Sequence, residues 1–211
     1  MFDIAKFFEH TNRDGVMGPT LDNDEVSGAE AIIKAMDKLP IAWVAYALAT
    51  AWHETGQTMQ PIKEYGGARY FFRMYDPQGR RPALAKRNGN KKPGDGVKYP
   101  GRGYVQLTWY DNYVKADKVC ADAGLIKPGE LIANPDLAMR PDIAALVMRN
   151  GMRKGWFTGR SFQSYLPADE QATRKEFRNS RRIINGTDKA SLIAGYAIEF
   201  QEALCAGGWE Y

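Results

Sequence analysis

The chain has 211 residues, of which 44% are hydrophobic and 12% aromatic, and its formal net charge is +4. This composition excludes an intrinsically disordered chain, which has few aromatic residues, and the length suits one sizeable folded domain. The positive charge weakly favours an anionic partner such as a bacterial envelope, nucleic acid or acidic lipid.

Cysteine and histidine are scarce in this sequence. The two cysteines, Cys120 and Cys205, cannot form a disulfide scaffold for a chain of this size, and we expect free thiols. The two histidines, His10 and His53, show no metal-binding spacing with each other or with the cysteines. We therefore predict no metal site and no cofactor.

The sequence shows neither a signal peptide nor a membrane-spanning segment. Residues 1–12 mix charged and aromatic residues and lack an apolar core. The longest apolar run, 41–52, is too short to cross a bilayer. We expect a protein that is made in a cytoplasm and stays there at first, with no stable membrane insertion.

Helical periodicity dominates the first quarter of the chain. Residues 28–39 carry a one-sided apolar pattern that predicts an amphipathic helix. Pro40 stands where a new helix can begin, and residues 41–54 are apolar nearly all round. The second segment is therefore the predicted central helix of the core.

The region 56–103 has a different character, with glycine pairs and proline-glycine turns throughout. It predicts a long irregular lobe with a short β-hairpin, and loops of this length are usually functional. The part from Gly79 to Arg102 is strongly basic and holds one acid, Asp95. This pattern is typical of a solvated loop or of an anion-binding surface. The cations are Arg80, Arg81, Lys86, Arg87, Lys91, Lys92, Lys98 and Arg102.

Helices return after Thr108, which forms a capping-box pattern with Asp111, and Gly124 is a plausible stop. Further helices are predicted over 141–152, 169–184 and 189–203. No repeat, linker or low-complexity tract interrupts the sequence. We predict a mainly α fold with a single domain over 1–211, in which residues 56–103 form a basic, irregular lobe.

Two glutamates ten positions apart indicate acid–base chemistry. Glu54 ends the most apolar helix, where burial and the negative end of the helix dipole disfavour the ionised form, as a general acid requires. The alternative is a helix-terminal glutamate paired with an arginine. Glu64 lies in a polar, basic segment and should stay ionised, as a general base must. Two such carboxyls can cleave a glycosidic bond, with inversion if they lie about 6.5–9.5 Å apart and retention at about 5 Å.

A glycine-flanked segment, 101–103, follows the lobe and allows close backbone approach. If the chain continues in an extended conformation, Tyr104, Gln106 and Thr108 point to one face. Thr108 could then orient a water molecule, while Gln106 and Asn112 could bind sugar amides or hydroxyls. The alternative is a glycine-rich turn that leads into a helix, with Thr108 as its N-cap.

Five short segments resemble, in the same order, the family 19 glycoside hydrolases, the chitinase group that also contains phage and bacterial peptidoglycan-degrading lysins. They are His53-Glu54-Thr55-Gly56, Gly101-Arg102-Gly103 with Gln106-Leu107-Thr108, Asn112-Tyr113, Asn134-Pro135-Asp136-Leu137 and Ile183-Ile184-Asn185-Gly186. The resemblance implies a lysozyme-like, two-lobed helical domain with a cleft between its lobes.

The same resemblance implies roles for individual residues. Glu54 takes the place of the general acid, Glu64 that of the base in an inverting reaction, and Thr108 that of the residue that orients water. The family's substrate-binding positions fall on Gln106, Asn112 and Asn185. To these we add the candidate substrate-binding residues His53, Tyr65 and Arg102.

The chain departs from the plant chitinases of this family at several points. It lacks their cysteine framework, its two glutamates lie closer in sequence, and Thr187-Asp188-Lys189 follows Asn185-Gly186. The closer spacing leaves Asp76 and Asp95 as alternatives for the base. These departures look more like phage endolysins, especially in the run 59–67.

The predicted function is that of a phage-type endolysin that hydrolyses the β-1,4 bond between N-acetylmuramic acid and N-acetylglucosamine in peptidoglycan. A chitinase is the alternative among enzymes, and a non-catalytic glycan-binding protein is the alternative in another class. A nucleic-acid-binding protein is disfavoured because no nucleic-acid motif accompanies the charge.

The expected partners and location follow from this prediction. The substrate is the glycan strand of peptidoglycan, and the chain contains no separate cell-wall-binding repeat. We expect a monomer that resides in the host bacterial cytoplasm, is released by a pore-forming partner of the holin type and then acts at the cell wall in the periplasm.

Overall fold

The computed structural model describes residues 2–12 and 15–210, and the elements in these ranges are mainly α-helical. In chain order they are α1 (Ile4–Asn12), α2 (Asn23–Ala35), α3 (Ile41–Glu54), β1 (Ile62–Lys63), α4 (Ala68–Tyr75), α5 (Pro82–Arg87), α6 (Asp95–Lys98), β2 (Arg102–Gly103), α7 (Tyr110–Asp122), α8 (Glu130–Ala133), α9 (Pro141–Lys154), α10 (Arg174–Ser180) and α11 (Ala190–Ala206). Three 3₁₀ helices are interspersed, at Pro135–Met139, Phe162–Ser164 and Arg181–Ile183. The predicted mainly α fold class is confirmed.

The chain divides into two compact units. Unit 1 comprises residues 1–60 and 148–211, and unit 2 comprises residues 61–147. Unit 2 contains most of the predicted basic lobe but extends beyond it to include α7 and α8. A single domain over 1–211 stays a prediction.

Unit 1 is built around α3, as its apolar sequence predicts. Every residue from Ile41 to Trp52 is buried, and the helix packs chiefly against α11, which in turn contacts α1 and α10. The ring of Trp43 stacks on Phe162 with centroids 5.1 Å apart. Burial on all sides removes a large apolar area from water, which makes α3 the main hydrophobic contribution to this unit.

Two helices of unit 1 begin with reciprocal capping boxes. The Asp22 side chain accepts from the Glu25 N–H, while the Glu25 carboxylate accepts from the Asp22 N–H. Thr173 and Glu176 repeat the arrangement at α10. These caps set the first turns, so α2 begins at Asn23 rather than at the predicted residue 28 and α10 begins well after the predicted 169.

Unit 2 contains an antiparallel pair of two-residue strands. Ile62 pairs with Gly103 and Lys63 with Arg102. Arg102 also forms a bridge with Leu107, so the chain between them is a tight turn rather than the extended segment considered above. Gly103 and Gln106 adopt positive φ values of 84° and 53° to make this turn.

The irregular lobe predicted over 56–103 is only partly correct. Helices α4, α5 and α6 lie within it, and they have eight, six and four residues. Segments this short show too little periodicity to stand out between glycine and proline turns. The predicted capping box at Thr108 is wrong, because α7 begins after Trp109 and has no side-chain cap.

The described residues include no helix that is both long and apolar enough to span a bilayer. Both cysteines are free, as predicted, with Cys120 buried and Cys205 exposed. Burial raises the pKa of the Cys120 thiol to about 12, so this group is an inert part of the unit 2 core.

Candidate active site

Glu54 is the last residue of α3, and its carboxylate forms an ion pair with an arginine. Nη1 of Arg181 donates to Oε1 of Glu54 at 2.5 Å. The glutamate side chain is 22% exposed and the arginine side chain 3% exposed. The arginine pairing considered as an alternative is therefore present.

Arg181 is held in place by a second contact. It begins the 3₁₀ helix Arg181–Ile183, and its Nε donates to the backbone carbonyl of Asp188 at 3.0 Å. The backbone N–H of Asn185 donates to the carbonyl of Arg181 at 2.9 Å. The turn that carries Asn185 is thus tied to the arginine that contacts Glu54. Asn185 itself is exposed, and its Oδ1 accepts from the Gly186 N–H at 2.8 Å.

His53 precedes Glu54 on α3 and is half-buried. Desolvation lowers the pKa of its imidazole, the Arg181 guanidinium lowers it further, and the Glu54 carboxylate opposes both. The neutral ring is therefore favoured near neutral pH. A neutral imidazole offers one donor and one acceptor, which suits hydrogen bonding to a sugar.

Glu64 follows β1 in unit 2 and is held by two neutral donors. The Tyr75 hydroxyl donates to Oε1 at 2.7 Å, and the Gly101 N–H donates to Oε2 at 3.1 Å. The backbone N–H of Glu64 donates to the Gly101 carbonyl at 2.8 Å. Burial, followed by the hydrogen bond to Glu64, raises the pKa of the Tyr75 phenol, so it stays a donor. The two donors hold the Glu64 carboxylate in one orientation.

Gln106 and Thr108 lie at the turn after β2. The Gln106 amide donates to the Ile62 carbonyl at 3.1 Å and to the Gly103 carbonyl at 3.3 Å, while the Thr108 hydroxyl donates to the Gln106 carbonyl at 2.7 Å. Both side chains are half-buried. Thr108 keeps an acceptor for water, as its predicted role requires, whereas the amide nitrogen of Gln106 is bonded to the backbone.

Asn112, in the first turn of α7, forms two side-chain contacts. Its amide donates to the Thr108 carbonyl at 3.1 Å, and its Oδ1 accepts from Lys115 at 3.2 Å. It is half-buried, so Oδ1 can still be reached by a ligand that displaces the lysine. The structure therefore brings Gln106, Thr108 and Asn112 together within unit 2.

Two further binding candidates differ sharply in exposure. Tyr65, beside Glu64, is 101% exposed and free to contact a ligand. Arg102 is 4% exposed, and its guanidinium bonds Asp136 at 2.7 Å, the carbonyls of Lys98 and Pro100, and the hydroxyl of Tyr113. These contacts are with the segment around β2, with α7 and with the 3₁₀ helix Pro135–Met139, so Arg102 supports this turn, and its role in substrate binding stays a prediction.

The alternative bases, Asp76 and Asp95, are occupied by backbone donors. Asp76 is 1% exposed and accepts from the N–H groups of Gln78, Gly94 and Gly96. Asp95 is half-buried and accepts from the N–H groups of Lys91 and Lys92. Both carboxylates hold loops together, which favours Glu64 as the base.

Sequence reasoning missed the two residues that orient the glutamates, Arg181 and Tyr75. Arg181 lies 127 positions from Glu54 and Tyr75 lies 11 positions from Glu64. The sequence analysis considered an arginine partner for Glu54 as an alternative, but it did not indicate which arginine. No pattern distinguishes Arg181 from its neighbours Arg178 and Arg182.

The cations of the basic run, the segment from Gly79 to Arg102, are exposed except for Arg102. Within the described residues, none of its other cations forms an ion pair, so unit 2 presents a positive surface. The described part of the chain contains no cluster of three or more histidine, cysteine or acidic side chains that could hold a metal ion.

Solved structures resemble the chain over nearly its whole length. A mutant of chitinase C matches with 22% identity and a TM-score of 0.54, covering 98% of this chain and 92% of that one. Chitinase C from Streptomyces griseus matches with 22% identity and a TM-score of 0.56, covering 95% and 75%. The fold is that of the family 19 chitinases.

The resemblance inferred from the five sequence segments is thus confirmed at the level of the fold. A bacterial family 19 chitinase also matches, with 20% identity and a TM-score of 0.47, covering 97% of this chain and 93% of that one. No protein-family model and no curated protein sequence matches the chain.

Proposed function

We propose that the chain is a glycoside hydrolase of the endolysin type, which cleaves the β-1,4 bond between N-acetylmuramic acid and N-acetylglucosamine in peptidoglycan. The observation that carries the proposal is the contrast between two orienting environments. Glu54 is held by a buried cation and Glu64 by two neutral donors, in a chain with the fold of the family 19 chitinases. Two carboxyls held in separate places supply the pair of groups that hydrolysis of a glycosidic bond uses.

Glu54 is the proposed general acid. Arg181 contacts one of its oxygens, and no described residue donates to the other, Oε2. That oxygen can carry a proton to the leaving glycosidic oxygen, while the arginine stabilises the carboxylate that remains after transfer.

Glu64 is the proposed general base. Each of its oxygens already accepts one hydrogen bond and has a second lone pair for a water molecule. Thr108 is the proposed second contact of that water, through the hydroxyl lone pairs left free by its bond to Gln106. Attack by this water on the anomeric carbon would invert the configuration.

Charge supports peptidoglycan over chitin as the substrate. Peptidoglycan carries carboxylates, whereas chitin is a neutral polymer. The net charge of +4 and the unpaired cations of unit 2 would accelerate encounters with an anionic polymer, and salt would weaken the effect. The candidate binding residues, His53, Tyr65, Gln106, Asn112 and Asn185, offer aromatic and amide contacts for N-acetylated sugars.

A chitinase is the second candidate. Two solved structures with a similar fold favour it, since both are described as chitinase C. Chitin and peptidoglycan both present N-acetylglucosamine. The two hypotheses differ in the sugar joined to N-acetylglucosamine at the cleaved bond, which is N-acetylmuramic acid in peptidoglycan and a second N-acetylglucosamine in chitin.

Product analysis separates the two candidates. Purified peptidoglycan and chitin oligosaccharides are digested in parallel by the wild type and by Glu54→Gln, and new reducing ends are reduced and identified by mass spectrometry. We expect new N-acetylmuramic acid ends from peptidoglycan that are lost in the variant. Turnover of chitin oligosaccharides with an intact wall would establish the chitinase, and binding without new ends would indicate a glycan-binding protein.

The cellular route is part of the proposal. A phage-type endolysin would accumulate as a monomer in the bacterial cytoplasm and reach the periplasmic face of the wall through a holin-type partner. Expression in a bacterial host with and without a pore-forming protein tests this, because lysis should require both proteins.

A further inference from the structure

A second charged surface lies in unit 1, outside the surroundings of Glu54. Two adjoining concavities of about 350 and 260 Å³ run along α10 and the first turns of α11, and they share Arg178 and Ser191. We call this surface the arginine groove, defined by Arg174, Lys175, Arg178, Arg182 and Ser191. Neither Glu54 nor Arg181 lines it.

The arginine groove is cationic and its charges are uncompensated. Four cations line it, no carboxylate does, and none of the four forms an ion pair with another described residue. Glu176, the one acid on α10, is bonded to Thr173 at the start of the helix. Glu199 on α11 interacts with Arg174 over a longer range. The groove therefore keeps most of its positive charge for a ligand.

The arginines are regularly spaced. Arg174 and Arg178 lie four residues apart on α10, a step of roughly 6 Å along the helix axis, and Arg182 follows four residues later in the 3₁₀ helix Arg181–Ile183. Arg182 is oriented by Asn179, whose Oδ1 accepts from its Nη1 at 3.1 Å. A row of guanidinium groups with this step matches a polymer that repeats an anionic group at short intervals.

The chemistry of the groove suits phosphate. Arginine pairs with the oxygens of phosphate, as with those of carboxylate, through two parallel N–H donors, and it is more weakly hydrated than lysine. Thr187 and Ser191 line the same depression as Arg178 and Arg182, and their hydroxyl groups can bond the ester oxygens or hydroxyls of a polyol. The lining contains no aromatic residue, so it offers no surface on which nucleic-acid bases could stack.

The shape of the groove argues against a bilayer as the ligand. Both depressions are concave, whereas a lipid surface is flat on this scale. One exposed leucine, Leu192, follows Ser191 on α11 and is too small an apolar area for insertion.

We propose that the arginine groove is a binding site for an aliphatic polyol-phosphate polymer, separate from the residues of the proposed hydrolase chemistry. Binding there tethers unit 1 to a surface that displays such polymers. The inference rests on the groove and its charges, and it holds whether or not the chain cleaves peptidoglycan.

The test compares two triple variants that each remove three positive charges. The groove variant is Arg174→Gln/Arg178→Gln/Arg182→Gln. The control variant, in the exposed basic run of unit 2, is Lys86→Gln/Arg87→Gln/Lys91→Gln. Binding of purified poly(glycerol phosphate) is measured by titration calorimetry at several salt concentrations. All six side chains are exposed, so both variants should fold, and their thermal unfolding is checked.

We expect the wild type to bind with a salt-dependent affinity, and the groove variant to bind at least about tenfold more weakly. The control variant should bind within about twofold of the wild type, since it loses only long-range attraction. Hydrolysis of a short, uncharged glycan should be equal in the wild type and the groove variant. Arg178→Gln alone, at the residue shared by both depressions, should reproduce part of the loss.

Several outcomes would overturn the proposal. Equal losses of affinity in both triple variants would show that the arginine groove contributes only through the net charge of the protein. Tighter binding to single-stranded DNA of equal phosphate content, with the same loss in the groove variant, would make it a nucleic-acid site. Binding only to phosphatidylglycerol vesicles would make it a membrane contact, and no binding to the polymer would remove the site.

Discussion

The two candidate catalytic glutamates are oriented by opposite physical means. In unit 1, Glu54 contacts a buried guanidinium, so its position depends on a charge pair at the end of the most apolar helix. In unit 2, Glu64 contacts a phenol and a backbone N–H, and its immediate hydrogen-bonding partners are neutral. One carboxylate is therefore positioned by an ion pair and the other by neutral hydrogen-bond donors.

The Glu54–Arg181 pair should be strongly coupled. Glu54→Gln should reduce turnover by about 10² to 10⁴-fold, because the amide cannot donate the proton. It should also lower the free energy of unfolding by about 1–3 kcal/mol, since Arg181 is left buried without its carboxylate. In a cycle with Arg181→Met, the double variant should cost at least about 1 kcal/mol less than the sum of the single variants in urea unfolding. Additive costs with normal turnover would remove the pair from the mechanism.

Glu64 should depend on its neutral donors in a graded way. Glu64→Gln should reduce turnover by about 10² to 10⁴-fold if it is the base. Tyr75→Phe keeps the carboxylate but removes one donor, so turnover should fall by about tenfold. Tyr70→Phe, which changes an exposed tyrosine on the same helix, is the matched control. Unchanged turnover in Tyr75→Phe would separate this contact from catalysis.

Asp76 should affect stability rather than chemistry. Asp76→Asn replaces a buried acceptor of three N–H groups with an amide, so the free energy of unfolding should fall by about 1–3 kcal/mol while turnover stays normal. Asp95→Asn should cost less, because Asp95 is half-buried and holds two donors. Loss of turnover in either variant without loss of stability would transfer the base role from Glu64.

Two buried tyrosines of unit 2 should respond oppositely to loss of the hydroxyl. The Tyr104 hydroxyl is buried without a hydrogen-bond partner among the described residues, so Tyr104→Phe should raise the free energy of unfolding by about 1 kcal/mol. The Tyr113 hydroxyl accepts from Arg102 and donates to the Pro100 carbonyl. Tyr113→Phe should therefore destabilise the protein, and urea unfolding measures both variants. If both changes destabilise the protein, the Tyr104 hydroxyl is not without a hydrogen-bond partner.

His53 should make a small, pH-dependent contribution to stability. Its pKa is lowered in the folded state, so below about pH 6.5 the unfolded chain binds more protons and stability falls as pH decreases. His53→Gln should remove this part of the slope between pH 7 and pH 5. His10→Gln, at the other histidine of the sequence, sets the background. An identical slope in wild type and His53→Gln would contradict the lowered pKa.

The fold was predictable where local pattern decides it. The apolar run of α3 marks a fully buried helix, and the prediction of 41–54 agrees with Ile41–Glu54. Short elements were not predictable, because α5 and α6 are too brief for a period to be seen. The start of α6 also depends on the Asp76 carboxylate, which accepts from the N–H groups of Gly94 and Gly96. The expected extended segment after β2 failed for a related reason, since the positive φ of Gln106 follows from the bridge between Arg102 and Leu107.

The sequence by itself determined the helical class, the buried helix that ends in Glu54, and the segments that resemble the family 19 glycoside hydrolases. Only the tertiary structure decided which groups surround each glutamate, because Arg181 reaches Glu54 across 127 positions and Gly101 reaches Glu64 across 37. The same holds for Arg102. The sequence suggested it as a substrate-binding residue, and only the tertiary structure shows that it is buried and supports the turn around β2. Residue types and local spacing specify what a side chain can do, whereas its partners depend on how distant segments pack.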